Sequence, residues 1–143
     1  MRRFTQATLA ALGTLAIAAP ALTQFGGPPP PPNTGVALYA PLRGAVGAGA
    51  ATVVIDPPKG TVCYLVNVGA LANATAAHIH VGGPGENGRV AVPFDAPDGG
   101  TTGGCAPIAA DLAAAILANP GGYYVNVHTQ TQPAGAIRGQ LAQ

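Results

Sequence analysis

The sequence predicts an all-β domain, an antiparallel β-sandwich that carries one short helix. Short apolar runs recur along the chain, several with the period-two alternation of strands, and Gly- and Pro-rich turns separate them. A single Ala-rich run has helical periodicity instead. Seven or so strands are expected, at residues 36–42, 51–56, 61–69, 75–82, 89–95, 122–129 and 135–142.

The clearest strand is TVCYLVNVG, residues 61–69. Successive side chains of a strand point to opposite faces of its sheet. The face expected to pack on the core carries Val62, Tyr64, Val66 and Val68. The opposite face carries Cys63, Leu65 and Asn67.

The Ala-rich run PIAADLAAAILANP, residues 107–120, predicts the helix. Asn119 and Pro120 end it, because proline cannot continue a helix. It is expected to lie across one end of the sandwich. Its packing face would consist of Ile108, Leu112, Ala115 and Ile116.

A hairpin is predicted between the strands at 75–82 and 89–95, with the turn GPGENG between them. The pair Asn87 and Gly88 is a strong hairpin signal, since both residues tolerate positive φ.

Residues 1–21 have the features of a secretory signal peptide. Arg2 and Arg3 precede an apolar stretch at 8–19, and small residues follow. An uncleaved membrane anchor is the alternative. The apolar stretch is shorter than the ~20 residues of a membrane-spanning helix, and Pro20 interrupts it.

The next segment, residues 22–35, contains five consecutive prolines and predicts an extended, disordered linker. The folded domain is then expected at residues 36–143. The protein should be extracytoplasmic, either periplasmic or secreted, with no membrane attachment after cleavage.

The net charge of the exported chain argues against nucleic acids and anionic membranes as partners. Cleavage after Ala21 removes two of the six basic residues and none of the five acidic ones, which leaves a net charge of −1. Nucleic acids and anionic membranes attract basic surfaces. We therefore expect no nucleic-acid partner, and instead a protein or another extracellular ligand.

Two cysteines, Cys63 and Cys105, predict one disulfide in an exported chain. It would close a loop of roughly 40 residues and contribute ~4 kcal/mol to stability. Two free thiols or a pair of soft metal ligands are the alternatives.

The three histidines of the chain fall on two predicted strands. His78 and His80 share one face of residues 75–82, and His128 lies on 122–129. The predicted strands 75–82, 122–129 and 135–142 each have a polar face. If these three strands are neighbours in the sheet, their polar faces coincide. The other members of this polar face are Tyr124, Asn126, Arg138 and Gln140.

A His-x-His pair on one strand is a recurrent metal-ligand arrangement, and three neutral imidazoles suit Cu(II) or Zn(II). A three-histidine site leaves a coordination position open. The alternative is that the histidines only form hydrogen bonds. A Ser–His–Asp triad is excluded because the chain contains no serine, and Asp95 with Asp98 makes only a weak calcium pattern.

The ordered motifs AAHIHVGGPGENGRVAVPF, NPGGYYVNVHT and PAGAIRGQL resemble the CHRD domain, named from chordin and common in exported bacterial proteins. The resemblance covers residues 36–143. It implies an immunoglobulin-like β-barrel with distant similarity to copper-zinc superoxide dismutases.

In the dismutases a similar His-x-His binds copper, which would correspond to His78 and His80, with His128 as a further ligand. No fourth histidine is present to form a bridging imidazolate, and the zinc-loop ligands have no counterparts. The leading interpretation is a non-enzymatic binding module with a copper or zinc site. A mononuclear copper redox enzyme and a purely structural domain are the alternatives.

Overall fold

The computed structural model describes residues 34–69 and 71–143. The predicted signal peptide, residues 1–21, lies outside the described residues, as does the predicted linker up to residue 33. Within the described ranges, no helix is both long and apolar enough to cross a membrane.

Eight strands and one α-helix make up the described fold. The strands are β1 (Val36–Gly44), β2 (Gly47–Asp56), β3 (Thr61–Gly69), β4 (Ala74–Val81), β5 (Val90–Phe94), β6 (Thr101–Pro107), β7 (Tyr123–Thr129) and β8 (Ile137–Gln140). The helix is α1 (Ala110–Ala118), and short 3-10 turns follow β2 and precede β7.

All the strands join one antiparallel sheet in the order β5-β4-β7-β8-β1-β2-β3-β6. The sheet curls until its ends face each other. Tyr64 of β3 stacks on Phe94 of β5 with ring centroids 4.0 Å apart. The Tyr64 hydroxyl also donates to the Asp95 carboxylate and accepts from the Asp95 amide, each at 3.0 Å. The predicted all-β fold with one short helix is confirmed, as a nearly closed antiparallel sheet.

Alternation along the strands builds the core. The apolar face predicted for β3 is buried, and its opposite face is half-buried or exposed. The same rule orients the central strands β1 and β2, which bury every second side chain. The largest fully buried aliphatic residues are Leu38, Leu42, Ile55, Ile79, Ile116, Ile137 and Leu141.

The eighth strand, β6, was not among the predicted ones. Its sequence TTGGCAP contains two glycines and a proline and has low intrinsic strand propensity. Pairing with β3 imposes the strand conformation from outside the segment. Tertiary context therefore overrides local propensity at this edge.

The helix was predicted correctly, but its buried face differs by one position. Ala113 and Ile116 are buried, whereas Ala115 is exposed. Ile108 is buried, but it precedes the helix. Ala113 and Ile116 are three positions apart and so lie on one side of the helix, whereas Ala115 does not.

The predicted hairpin between β4 and β5 is present, but its turn chemistry is not the predicted one. Neither Asn87 nor Gly88 has positive φ; Gly82 and Gly85 do. Gly88 is required for a different reason, since a Cβ there would overlap the carbonyl oxygen of Val81. The residues with positive φ thus lie before Asn87 and Gly88 in the chain.

The predicted disulfide is present. Cys63 and Cys105 are direct partners in the β3–β6 ladder and are bonded to each other, 42 residues apart in the chain. The described residues contain no free cysteine. The bridge ties the Gly-rich edge strand to the sheet.

We expect that replacing both cysteines with alanine lowers the free energy of unfolding by about 4 kcal/mol, because the unfolded chain loses a 42-residue constraint. Urea unfolding followed by circular dichroism measures this loss. Adding a reductant to the wild-type protein should lower its midpoint similarly and leave the double variant unchanged. A double variant as stable as the wild type would show that β6 is held by its ladder alone.

Candidate metal centre

The histidines lie on two adjacent strands of the sheet. In the β4–β7 ladder, His78 is opposite Asn126 and His80 is opposite Tyr124, while His128 is opposite Ala76. Strand β8 continues the same face, with Arg138 opposite Asn126 and Gln140 opposite Tyr124. The structure thus brings together all seven residues of the predicted polar face, on the side of the sheet that faces away from the core.

This outer face is nevertheless largely buried. Tyr124 is 1% exposed, Asn126 4% and His80 8%. The turn between β4 and β5 covers part of this face. Arg138 holds that turn by donating to the Glu86 carbonyl at 2.8 Å and to the Asn87 side chain at 3.1 Å. The imidazoles therefore occupy an environment with restricted access to water.

The side chains form a layer of stacked rings. His80 lies parallel to the Tyr124 ring, with centroids 5.0 Å apart, and the Arg138 guanidinium lies over Tyr124 at 3.6 Å from its centroid. The Tyr124 hydroxyl accepts from the Gly88 amide. On the same face, the Gln140 amide donates to the Gly82, Gly121 and Tyr123 carbonyls. These contacts hold His80 in one orientation.

The three imidazoles converge. Their ring centroids are 5.0 to 5.7 Å apart. One ligand nitrogen from each of His78, His80 and His128 lies within 4.8 Å of the other two. The described residues contain no other cluster of three or more potential metal ligands of the His, Cys, Asp or Glu type.

Hydrogen bonds determine which ring nitrogen of His80 and of His128 is available to bind a metal ion. Nδ1 of His80 lies 3.0 Å from the Gly88 carbonyl, and Nδ1 of His128 lies 2.9 Å from the Pro133 carbonyl. A carbonyl only accepts, so each Nδ1 carries the proton, and each neutral ring keeps its lone pair on Nε2. Metal-ligating histidines characteristically donate their second ring nitrogen in this way.

The remaining nitrogens have no protein partner. Nε2 of His80, Nε2 of His128 and Nδ1 of His78 are buried without a hydrogen bond. A buried polar atom without a partner costs about 1–3 kcal/mol, so three in one cluster make this cluster the candidate ligand site. The donor set fits a Cu(II) or Zn(II) ion.

The spacing also fits such an ion after a small adjustment. Around a tetrahedral zinc ion with bonds of about 2.0–2.1 Å, ligand nitrogens lie about 3.3 Å apart. The nitrogens here are at most 4.8 Å apart. Modest side-chain rotations would close the difference, and three protein ligands would leave the fourth position open.

Electrostatics favour the neutral imidazole. Burial lowers the pKa of His78 below the ordinary histidine value, and the neighbouring His128 and His80 lower the pKa further by charge repulsion. A metal ion binds the unprotonated ring. The cluster thus favours the ligating form of His78 near neutral pH.

The sequence reasoning missed the two carbonyls that orient the rings, those of Gly88 and Pro133. Backbone acceptors have no side-chain signature, so no sequence pattern could have identified them. Asp95 of the weak calcium pattern accepts a hydrogen bond from the Tyr64 hydroxyl, and among the described residues neither Asp95 nor Asp98 belongs to a cluster of three or more His, Cys, Asp or Glu ligands.

A family model described as the CHRD domain matches residues 22–141. The chain belongs to the CHRD domain family. No curated protein and no solved structure matches the chain significantly. Membership suggests that this CHRD domain is an extracellular module without enzymatic activity, and the Cys63–Cys105 disulfide is consistent with an oxidising compartment.

The metal-free CHRD domain should lose stability as the pH falls below about 6.5, the ordinary histidine pKa. The pKa of His78 is lower in the folded than in the unfolded state, so the unfolded chain binds more protons in this range and its protonation favours unfolding. Urea unfolding in EDTA between pH 5 and pH 7.5 tests this. The lowered pKa of Asp56 acts only at more acidic pH.

The control for this measurement is the substitution His78→Gln, which removes the titrating ring. It should flatten the dependence of the unfolding free energy on pH. An equally steep dependence in the variant would show that another group is responsible.

Proposed function

We propose that this CHRD domain is an exported, non-enzymatic module that binds one Cu(II) or Zn(II) ion through His78, His80 and His128. The observation that carries the proposal is the set of three buried, unpartnered ring nitrogens that face one another. The hydrogen bonds from Nδ1 of His80 and His128 to backbone carbonyls support it, because they leave Nε2 of both rings as ligands.

Copper is the metal we favour. Imidazole ligands suit both ions, but for a given nitrogen site the intrinsic affinity for Cu(II) exceeds that for Zn(II). The cluster contains neither thiolate nor carboxylate. Because both cysteines are joined in a disulfide on another part of the sheet, a soft ligand that would select Cu(I) is also missing from this cluster.

A purely structural polar cluster is the second candidate function. His80 and His128 each tie a loop to the sheet through a carbonyl, and His80 stacks on Tyr124. In that case the rings stabilise the loops around Gly88 and Pro133, and the cluster binds no metal ion.

Metal titration separates the two candidates. The purified protein is stripped of metal and titrated with Cu(II) and Zn(II), together with His78→Ala, His128→Ala and the exposed-residue control Gln130→Ala. The proposal expects one ion per wild-type chain, and about 2.7 kcal/mol of added stability at a free-metal concentration of 100 times Kd. Both histidine variants should lose this binding, and the control should keep it.

The structural candidate has a different signature. The metal-free His128→Ala protein would then unfold at a lower urea concentration than the wild type, while added metal would change the stability of neither. Metal binding of equal stoichiometry in wild type and both variants would refute the three-histidine site.

A further inference from the structure

A cavity of about 340 Å³ borders the polar face through Asn126 and Arg138. Its other walls come from the β1–β2 turn around Arg43, from the turn that precedes β8, and from Asn87. None of the residues that line it is acidic. The cavity is of the size of small-molecule sites, which start at about 300 Å³.

Two arginines line this cavity. Arg43 and Arg138 are direct partners in the β1–β8 ladder, so their side chains leave the sheet on the same face. Like charges directly opposite each other destabilise a sheet. Arg138 is held by two acceptors and by Tyr124, whereas Arg43 is exposed and has no ion pair or hydrogen bond among the described residues. An anion between the two would remove this repulsion.

The cavity also contains a buried acceptor without a partner. Asn126 is more than nine-tenths buried, and its Nδ2 donates to the Ala134 carbonyl at 3.3 Å. Its Oδ1 has no hydrogen bond. A Cβ at Gly135 would lie 2.5 Å from both Nδ2 and Oδ1, so the amide packs directly against this glycine. Asn126 is therefore a fixed part of the cavity wall, and its Oδ1 has no surface open to a ligand.

The remaining polar lining consists of the amides of Asn87 and Gln132. Amides pair with hydroxyl groups as either donor or acceptor. We propose that the cavity binds a polyhydroxylated carboxylate, a sugar acid of about monosaccharide size. Its carboxylate pairs with Arg43, and its hydroxyl groups pair with the side-chain amides of Asn87 and Gln132. The proposal is independent of metal binding, because no histidine lines the cavity.

The test uses metal-free protein in EDTA at constant ionic strength, with the backbone amides of Gly135 and Ala136 observed by NMR. The probe is D-galacturonate, and D-galactose is its neutral counterpart. We expect saturable shifts with the acid. The substitution Arg43→Gln should weaken its affinity about tenfold, since a charge-assisted hydrogen bond is lost. The matched control Arg89→Gln, an exposed arginine away from the cavity, should not.

The outcomes are distinct. The absence of saturable shifts, equal affinity for D-galactose, or equal weakening by Arg89→Gln would overturn the proposal. A tetramer of galacturonate distinguishes the two sources of this chemistry. Tighter binding of the tetramer per uronate unit identifies an acidic polysaccharide as the ligand, and equal or weaker binding identifies the free sugar acid.

Discussion

The register between β4 and β7 is the constraint on which the rest of this molecule depends. Ile79 and Val125 are opposite each other and fully buried, as are Ala77 and Val127. Because side chains alternate along a strand, the same register sends His78, His80, Asn126 and His128 to the other face. A slip of one residue would place imidazoles in the core and isoleucine outside it. The hydrophobic core therefore fixes the polar cluster, although it touches none of the ring nitrogens.

The polar face differs from the rest of the described fold because it contains buried polar atoms without hydrogen-bond partners. Tyr124, Gln140 and Arg138 find partners in nearby turns. The unpartnered buried side-chain atoms of the described residues are three histidine nitrogens and Oδ1 of Asn126. All four lie on one face of two adjacent strands. Since each would cost about 1–3 kcal/mol without a hydrogen-bond partner, their concentration in one place marks this face as the candidate binding site.

Much of this could be predicted from sequence because the information is local. Alternation alone identified β3 and assigned Val62 and Tyr64 to the core. It also placed all three histidines on one polar face. Two cysteines in an exported chain predicted their own pairing.

The remaining features depend on contacts between distant segments. Strand β6 exists because β3 pairs with it, against the low strand propensity of its glycines. Arg43 gave no signal of its own, since its significance comes from its register with Arg138, 95 positions along the chain. In the turn after β4, positive φ occurs at Gly82 and Gly85 and not at Asn87 or Gly88. No local pattern encodes which of two plausible glycines takes the left-handed conformation.

The two arginines show how the same residue type acquires different roles from its contacts. Arg138 would have to give up two hydrogen bonds and its contact with Tyr124 before it could reorient. That contact extends to His80, so Arg138 belongs to the rigid layer that orients the histidines. Arg43 has none of these restraints and can adjust to an incoming anion without disturbing the cluster. A hydrogen-bonded arginine beside an exposed, unpaired one allows ligand recognition on this face while the imidazoles stay in place.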